Sequence, residues 1–139
     1  MSSQHTHTIL YAEDDADDVF MVRQAFEQLD NQIHLEHAIN GLYAMQQLEA
    51  MHREGHLPCL IILDINMPGM DGREALKQIK ESDHFHKIPV VLFTTSSSEH
   101  DRAFAQKWGA HFITKPLIFD ELRELAKIFV SHCGDGVRQ

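Results

Sequence analysis

The chain has 139 residues, 43% of them hydrophobic and 24% charged, and its formal net charge at pH 7 is −9 when the histidines are neutral. This length and composition are typical of one soluble globular domain with a sizeable core. The acidic balance argues against nucleic-acid and anionic-membrane partners, and the sequence has neither a bilayer-spanning apolar run nor a signal peptide. Cys59 and Cys133 form no motif. We expect Cys59 to be a small buried residue and the location to be reducing and cytoplasmic.

Apolar patterning predicts five strands that alternate with five helices. Short β-prone runs predict strands over residues 8–12, 33–37, 60–63, 89–93 and 111–114. The second of these alternates apolar and polar residues like a half-covered edge strand. Apolar residues at helical spacing predict helices over residues 16–29, 41–52, 73–80, 98–108 and from 119 onward. Such alternation favours a parallel sheet with helices on both faces, which right-handed crossovers build into a doubly wound three-layer sandwich.

Polar residues end four of the five predicted strands. They are Glu13 with Asp14, Asp64, Thr94 and Lys115. Because the carboxyl ends of parallel strands form the ligand edge of an open α/β sheet, we expect these side chains to meet there. Like charges 4 Å apart repel by roughly 4 kcal/mol at an intermediate dielectric, so three acids beside one lysine call for a cation. Oxygen-only ligands open to solvent suit Mg²⁺.

This set of side chains is equipped for phosphoryl chemistry. The metal and the ammonium of Lys115 would neutralise charge on the oxygens of a transferring phosphoryl group. Asp64 could then act as the nucleophile and form an aspartyl phosphate. Any one of these residues at a strand end would be ordinary, and only the joint pattern predicts a site.

Four motifs resemble those of response-regulator receiver domains in two-component signalling. They are ILYAEDD, ILDINMPGMDG, PVVLFTTS and ITKP, in this order between residues 9 and 116. The resemblance extends to about residue 129. It implies a flavodoxin-like three-layer sandwich, with a five-stranded parallel sheet of order 2-1-3-4-5 and five helices. An insertion near residues 49–57 and the DD-x-x-VF opening of the first helix resemble the small stand-alone regulators paired with bacterial phytochromes.

The resemblance implies a role for each residue of the site. Asp64 would be the phosphoacceptor, and Lys115 would pair with a phosphoryl oxygen. Asp14 would ligate Mg²⁺ directly together with Asp64, Glu13 would act largely through a bound water, and the backbone carbonyl of Asn66 would complete the protein's ligands. Glu13 stands where many relatives have aspartate.

A conformational switch is also implied by the resemblance. Thr94 would turn its hydroxyl to a phosphoryl oxygen, and Phe112 would follow it inward and alter the surface of the fourth helix, fifth strand and fifth helix. Phe112 lacks the hydroxyl of the usual tyrosine, so the switch would depend on packing. The Lys115–Pro116 peptide would be cis.

The predicted organisation is a flexible N-terminus over residues 1–7, a receiver domain over 8–131 and a C-terminal tail over 132–139. Too few residues follow the last helix for a DNA-binding or enzymatic output domain, so we expect output through protein contact or onward phosphotransfer. The expected partners are a sensor histidine kinase or phosphotransfer protein and a downstream protein target. Ile118 and Ile128 mark a candidate homodimer face. The chain would be no enzyme beyond slow self-catalysed phosphorylation and dephosphorylation.

Three other interpretations stay open. A haloacid-dehalogenase-type phosphohydrolase would need a second acid two residues after Asp64, where Asn66 stands, and a cap domain. A flavodoxin-like flavin- or nucleotide-binding module would need a phosphate-cradling loop where Glu13, Asp14 and Asp15 repel phosphate. The third is a receiver that is never phosphorylated. A register shift of one residue would also place Asp14 and Asp15 at the site instead of Glu13 and Asp14.

Overall fold

The computed structural model describes residues 7–29 and 33–138, with side chains through Cys133. Strands and helices alternate along these residues as the sequence predicts. Their bounds are β1 (His7–Ala12), α1 (Ala16–Glu27), β2 (Ile33–Ala38), α2 (Gly41–Glu54), β3 (Leu60–Leu63), α3 (Gly72–Glu81), β4 (Val90–Thr94), α4 (Glu99–Lys107), β5 (His111–Thr114) and α5 (Phe119–Arg138). In this part of the chain no helix is both long and apolar enough to cross a bilayer.

The strands of these residues form one parallel sheet of order β2-β1-β3-β4-β5, and the predicted flavodoxin-like fold is confirmed. The register aligns the strand ends, because Ala12 pairs with both Ala38 and Leu63. Thr94 likewise pairs with Thr114 at the ends of β4 and β5. The residues that follow these positions therefore leave the sheet at the same edge.

Helices cover both faces of the sheet and bury its central strand completely. All four residues of β3 have no solvent exposure. Ile61 and Leu63 belong to a core cluster with residues of α2 and α3, whereas Leu60 and Ile62 belong to one with residues of α1 and α5. Alternate residues of a strand point to opposite faces, so a strand covered on both faces must be apolar throughout. Burial on both faces therefore explains why the run of residues before Asp64 is apolar without interruption.

The structure moves most predicted boundaries by one or two residues and that of α5 further. β1 begins at His7, α1 ends at Glu27, and α5 continues to Arg138 through the segment predicted to be a tail. Residues 1–6 and 139 lie outside the described residues, so the limits of the domain stay a prediction. Gly134 and Gly136 have low helix propensity, but the turns of α5 before them pack tightly against the core. Phe129 is fully buried, and its ring stacks on that of Phe26 with 6.4 Å between the ring centroids.

Cys59 and Cys133 are joined in a disulfide and Cys59 is half-buried, which corrects the expectation that Cys59 is simply a small buried residue. Cys59 lies directly before β3, and Cys133 on α5 is only 2% exposed. The two residues are 74 positions apart in the sequence, and their Cα atoms are 5.4 Å apart. Only the packing of α5 against the sheet brings them together, so spacing along the chain gave no signal of the pairing.

Breaking this cross-link is expected to lower the free energy of unfolding by about 2–4 kcal/mol, because the link closes a long loop in the unfolded chain. Denaturant unfolding with and without reductant measures the change. The Cys59→Ser, Cys133→Ser double variant should unfold at the lower stability and be insensitive to reductant. Two thiols that react with an alkylating agent in the native, unreduced protein would contradict the pairing.

Candidate functional site

Three carboxylates meet at the carboxyl ends of β1 and β3. One oxygen from each of Glu13, Asp14 and Asp64 lies within 4.8 Å of the others. Glu13 is 1% and Asp64 5% exposed, whereas Asp14 is exposed. Asp15 does not join them, since its Oδ1 caps α1 and accepts from the backbone N–H groups of Asp17 and Asp18 at 2.8 and 3.2 Å. The structure therefore places Glu13 and Asp14 at the site, and not the alternative pair of Asp14 and Asp15.

Backbone hydrogen bonds hold the two buried carboxylates in place. The N–H of Glu13 donates to the carbonyl of Ala38 at 2.9 Å, and the N–H of Asp64 donates to that of Ala12 at 3.1 Å. The sheet ladder thus extends one residue past the strands. Gly72 closes the loop after Asp64 by donating its N–H to the Ile65 carbonyl at 3.1 Å. A Cβ on Gly72 would overlap the backbone carbonyl of Asp64, so only glycine permits this approach.

The ammonium of Lys115 lies among three carboxylates. Its Nζ is 2.7 Å from Glu13 Oε1, 2.7 Å from Asp18 Oδ2 and 3.5 Å from Asp64 Oδ1. The backbone N–H of Lys115 donates to the Thr94 carbonyl at 2.7 Å, which fixes the start of the loop after β5. The sequence predicted Lys115 here but not Asp18, which lies four residues after Asp14 in the first turn of α1.

Glu13 is also held by groups that the sequence did not indicate. The hydroxyl of Tyr11 donates to Glu13 Oε1 at 3.2 Å, and the backbone N–H of Asp15 donates to Oε2 at 3.1 Å. His37 Nε2 lies 2.7 Å from the backbone carbonyl of Glu13. Tyr11 could have been found from the alternation of a strand, because residues two apart point to the same face.

Burial shifts the pKa values of the charged groups at the site. It raises the pKa of Glu13 to about 7, although the hydrogen bond and charge of Lys115 act in the opposite direction. Burial also raises the pKa of Asp64 despite the nearby ammonium. For Lys115 burial opposes the charged form, but hydrogen bonds to Asp18 and Glu13 outweigh it and raise the pKa. Burial therefore disfavours the ionised forms of both buried carboxylates, and the one ammonium beside them does not fully offset this effect.

A divalent cation fits this donor set. Hard oxygen ligands, two of them buried and one exposed, match the preference of Mg²⁺ for a few carboxylates and retained waters. A cation would also favour the ionised forms of Glu13 and Asp64, which burial disfavours. Asn66, the other predicted ligand, lies exposed in the loop two residues after Asp64.

Thr94 and Phe112 lie where the sequence predicts, on the neighbouring strands β4 and β5. Thr94 is fully buried at the end of β4, and Phe112 is half-buried on β5. The guanidinium of Arg102 lies 4.7 Å from the centroid of the Phe112 ring. The predicted cis peptide before Pro116 is wrong, since that bond is trans. The trans form is the lower in energy even before proline, by about 0.5–1 kcal/mol.

A hydrogen-bonded chain connects Thr94 to α3. Thr94 Oγ1 accepts from the backbone N–H of Ser96 at 3.1 Å, and the hydroxyl of Ser96 donates to Asp101 Oδ2 at 2.9 Å. Arg73 on α3 donates to Asp101 Oδ1 at 3.1 Å. Asp101 is 9% exposed although it lies in the first turn of α4. The sequence showed this residue only as part of a helix start.

The sequence is similar to regulators of known families. The model of the response regulator receiver domain matches residues 9–127. The chain is 35% identical over 127 residues to the probable methanogenesis regulatory protein FilR2 of Methanothrix harundinacea. These residues make up 88% of this chain and 81% of FilR2. The chain is 37% identical over 95 residues to the response regulator Rcp1 of Synechocystis sp., which covers 67% of this chain and 65% of Rcp1.

Solved structures give the same result. The phosphorylated cyanobacterial phytochrome response regulator RcpA has a TM-score of 0.82 at 28% identity and covers 91% of this chain and 96% of its own. The Mn²⁺-bound form of Rcp1 has a TM-score of 0.80 at 30% identity, and the match covers 91% of this chain and 93% of the Rcp1 chain. The predicted resemblance to phytochrome-associated regulators is confirmed by these matches.

Gly72→Ala is expected to lower the free energy of unfolding by about 1–3 kcal/mol, because the added methyl group forces apart the backbone around Asp64. Chemical denaturation measures the change. Gln78→Ala, on the exposed face of the same helix, should leave stability within experimental error. Equal stability of the two variants would show that the loop after Asp64 adjusts without cost.

Asp14→Asn is expected to leave the melting temperature of the metal-free protein unchanged or slightly higher. The carboxylate of Asp14 is exposed, and its charge raises the pKa of Asp64, so its removal relieves repulsion. Thermal unfolding in the presence of a chelator tests this. A clear fall in melting temperature would mean that Asp14 has a structural role.

Proposed function

The chain belongs to the response regulator receiver domain family, whose members are phosphorylated on an aspartate, and we propose that Asp64 is that aspartate here. The observation that carries the proposal is the position of Asp64, which is buried among carboxylates yet only 3.5 Å from the Lys115 ammonium. The family assignment replaces the phosphohydrolase and flavodoxin-like alternatives. Asn66 offers no general acid, and the acidic loop after β1 repels a nucleotide phosphate.

The proposed reaction is transfer of a phosphoryl group from a phosphohistidine. A carboxylate oxygen of Asp64 attacks phosphorus as the phosphorus–nitrogen bond breaks. The imidazole nitrogen keeps the bonding electron pair and takes up a proton, and an acyl phosphate forms on Asp64. The Lys115 ammonium and the Thr94 hydroxyl donate hydrogen bonds to phosphoryl oxygens, which stabilises the charge that develops on them.

We propose that Mg²⁺ is the cofactor. Asp14 and Asp64 would bind it directly, Glu13 would act through a water, and the carbonyl of Asn66 would add a fourth protein contribution. The support is the cluster of three oxygens, together with the solved Mn²⁺-bound form of the relative Rcp1. Bound there, the cation neutralises negative charge on the phosphoryl oxygens.

The proposed switch couples Thr94 to Phe112. Thr94 ends β4, the strand that pairs with β3 before Asp64, and Phe112 lies on the adjacent strand β5. Inward rotation of the Phe112 ring would give up its contact with Arg102 on α4. Since Phe112 has no hydroxyl, packing and this cation–π contact are the energies that the switch changes. The affected surface consists of α4, β5 and α5.

The proposed role is signalling rather than enzymatic turnover. Receiver domains work with histidine kinases and downstream protein targets, and we propose such partners for this chain. We also propose a cytoplasmic location, in which the Cys59–Cys133 disulfide would have to resist reduction. Chemistry on the chain would be limited to slow self-catalysed phosphorylation and dephosphorylation. Ile118 and Ile128 are 58% and 49% exposed beside β5 and on α5, and we propose this apolar surface as a homodimer face.

The purified protein should gain one acid-labile phosphoryl group from acetyl phosphate when Mg²⁺ is present, and Asp64→Asn should abolish the gain because the nucleophilic carboxylate is lost. Intact-protein mass spectrometry measures it. Asp83→Asn, an exposed acid in the loop before β4 at the opposite edge of the sheet, is the matched control and should be modified normally. Modification that persists in Asp64→Asn would refute the assignment.

A further inference from the structure

The ammonium of Lys115 has closer partners than the proposed phosphoacceptor. Its Nζ is 2.7 Å from both Glu13 Oε1 and Asp18 Oδ2, but 3.5 Å from Asp64 Oδ1. An ammonium has three hydrogens to donate, and short charge-assisted hydrogen bonds to Glu13 and Asp18 use two of them. Only a long contact is left for Asp64, on which the phosphoryl group would form.

The two close partners differ in how readily Lys115 can leave them. The side chain of Glu13 is 1% exposed, so loss of its ammonium would leave a buried charge with less compensation. The side chain of Asp18 is 39% exposed, and water can replace the ammonium there. Asp18 and Lys115 also line one cavity of about 200 Å³ between α1 and the loop that begins α5, which gives the lysine side chain room to move.

We propose that Asp18 is a positioning residue that holds Lys115 in the unmodified protein and competes with the phosphoryl group for its ammonium. The inference rests on the proposed function of Asp64 and adds a residue that acts through Lys115. When a phosphoryl group forms, Lys115 keeps Glu13 and exchanges Asp18 for a phosphoryl oxygen. Asp18 therefore weakens the binding of phosphoryl-like anions at Asp64.

The position of Asp18 in the fold supports this competition. Its backbone N–H is held by Asp15 Oδ1 at 3.2 Å in the capped first turn of α1, so its side chain starts from a fixed point. Lys115 is fixed from the other side by its backbone bond to Thr94. The ion pair thus spans two anchored backbones, and exchange of partners requires movement of the lysine side chain alone.

The test measures the affinity of beryllofluoride, a phosphoryl mimic, in the presence of Mg²⁺ by nuclear magnetic resonance titration. Asp18→Asn should bind the mimic roughly three- to tenfold more tightly, because a partly exposed ion pair no longer competes for Lys115. Asp18→Glu restores the charge and should return the affinity towards that of the wild type. Asp17→Asn is the matched control, since it removes the same charge from an exposed neighbour in the same turn.

Asp18→Asn in a Lys115→Ala background distinguishes competition for the lysine ammonium from a general effect of removing a negative charge. There Asp18→Asn should change the affinity by no more than Asp17→Asn does. Equal or weaker binding by Asp18→Asn in the natural background would overturn the proposal, as would an equal gain without Lys115. If the wild type neither binds beryllofluoride nor accepts a phosphoryl group, the proposed function fails, and this inference falls with it.

Discussion

The ion pair between Glu13 and Lys115 is the interaction on which the site depends. It joins residues 102 positions apart, one at the end of β1 and the other just after β5, and crosses the two strands between them. Burial raises the pKa of both Glu13 and Asp64, so their charged forms would be disfavoured at these strand ends without a cation nearby. The ammonium makes this concentration of acids compatible with the fold, while it leaves enough negative charge to attract a cation.

Lys115 also connects the ion pair to two other parts of the structure. On one side Lys115 contacts Asp18 and the start of α1, where the charge is partly solvated. On the other side the backbone of Lys115 bonds to Thr94, which connects through Ser96 and Asp101 to α3. Lys115 is thus linked to helices on both faces of the sheet, and a local rearrangement at its side chain would first alter the contact with α1. Receiver domains transmit a small chemical event by this kind of local rearrangement.

The sequence predicts the parts of the molecule that burial dictates. The apolar run of β3 had to be covered on both faces, and that requirement placed Asp64 at the ligand edge. What it did not predict depends on the meeting of distant segments. Asp18 and Asp101 were ordinary acids at helix starts until the fold placed them beside Lys115 and Arg73. The Cys59–Cys133 link and the continuation of α5 likewise follow from the packing of that helix against the sheet.

The link at Cys133 has a mechanical consequence for α5. It fastens the helix to the start of β3, at the end of the sheet opposite the carboxylate cluster, while the first turn of the helix follows Lys115 and Pro116. The helix from Phe119 to Cys133 is about 21 Å long at a rise of about 1.5 Å per residue. A tilt of roughly 5° about the fastened end moves the first turn by about 2 Å over such a length. Any tilt of α5 about the cross-link would therefore displace its first turn, next to Lys115, the most and its linked end the least.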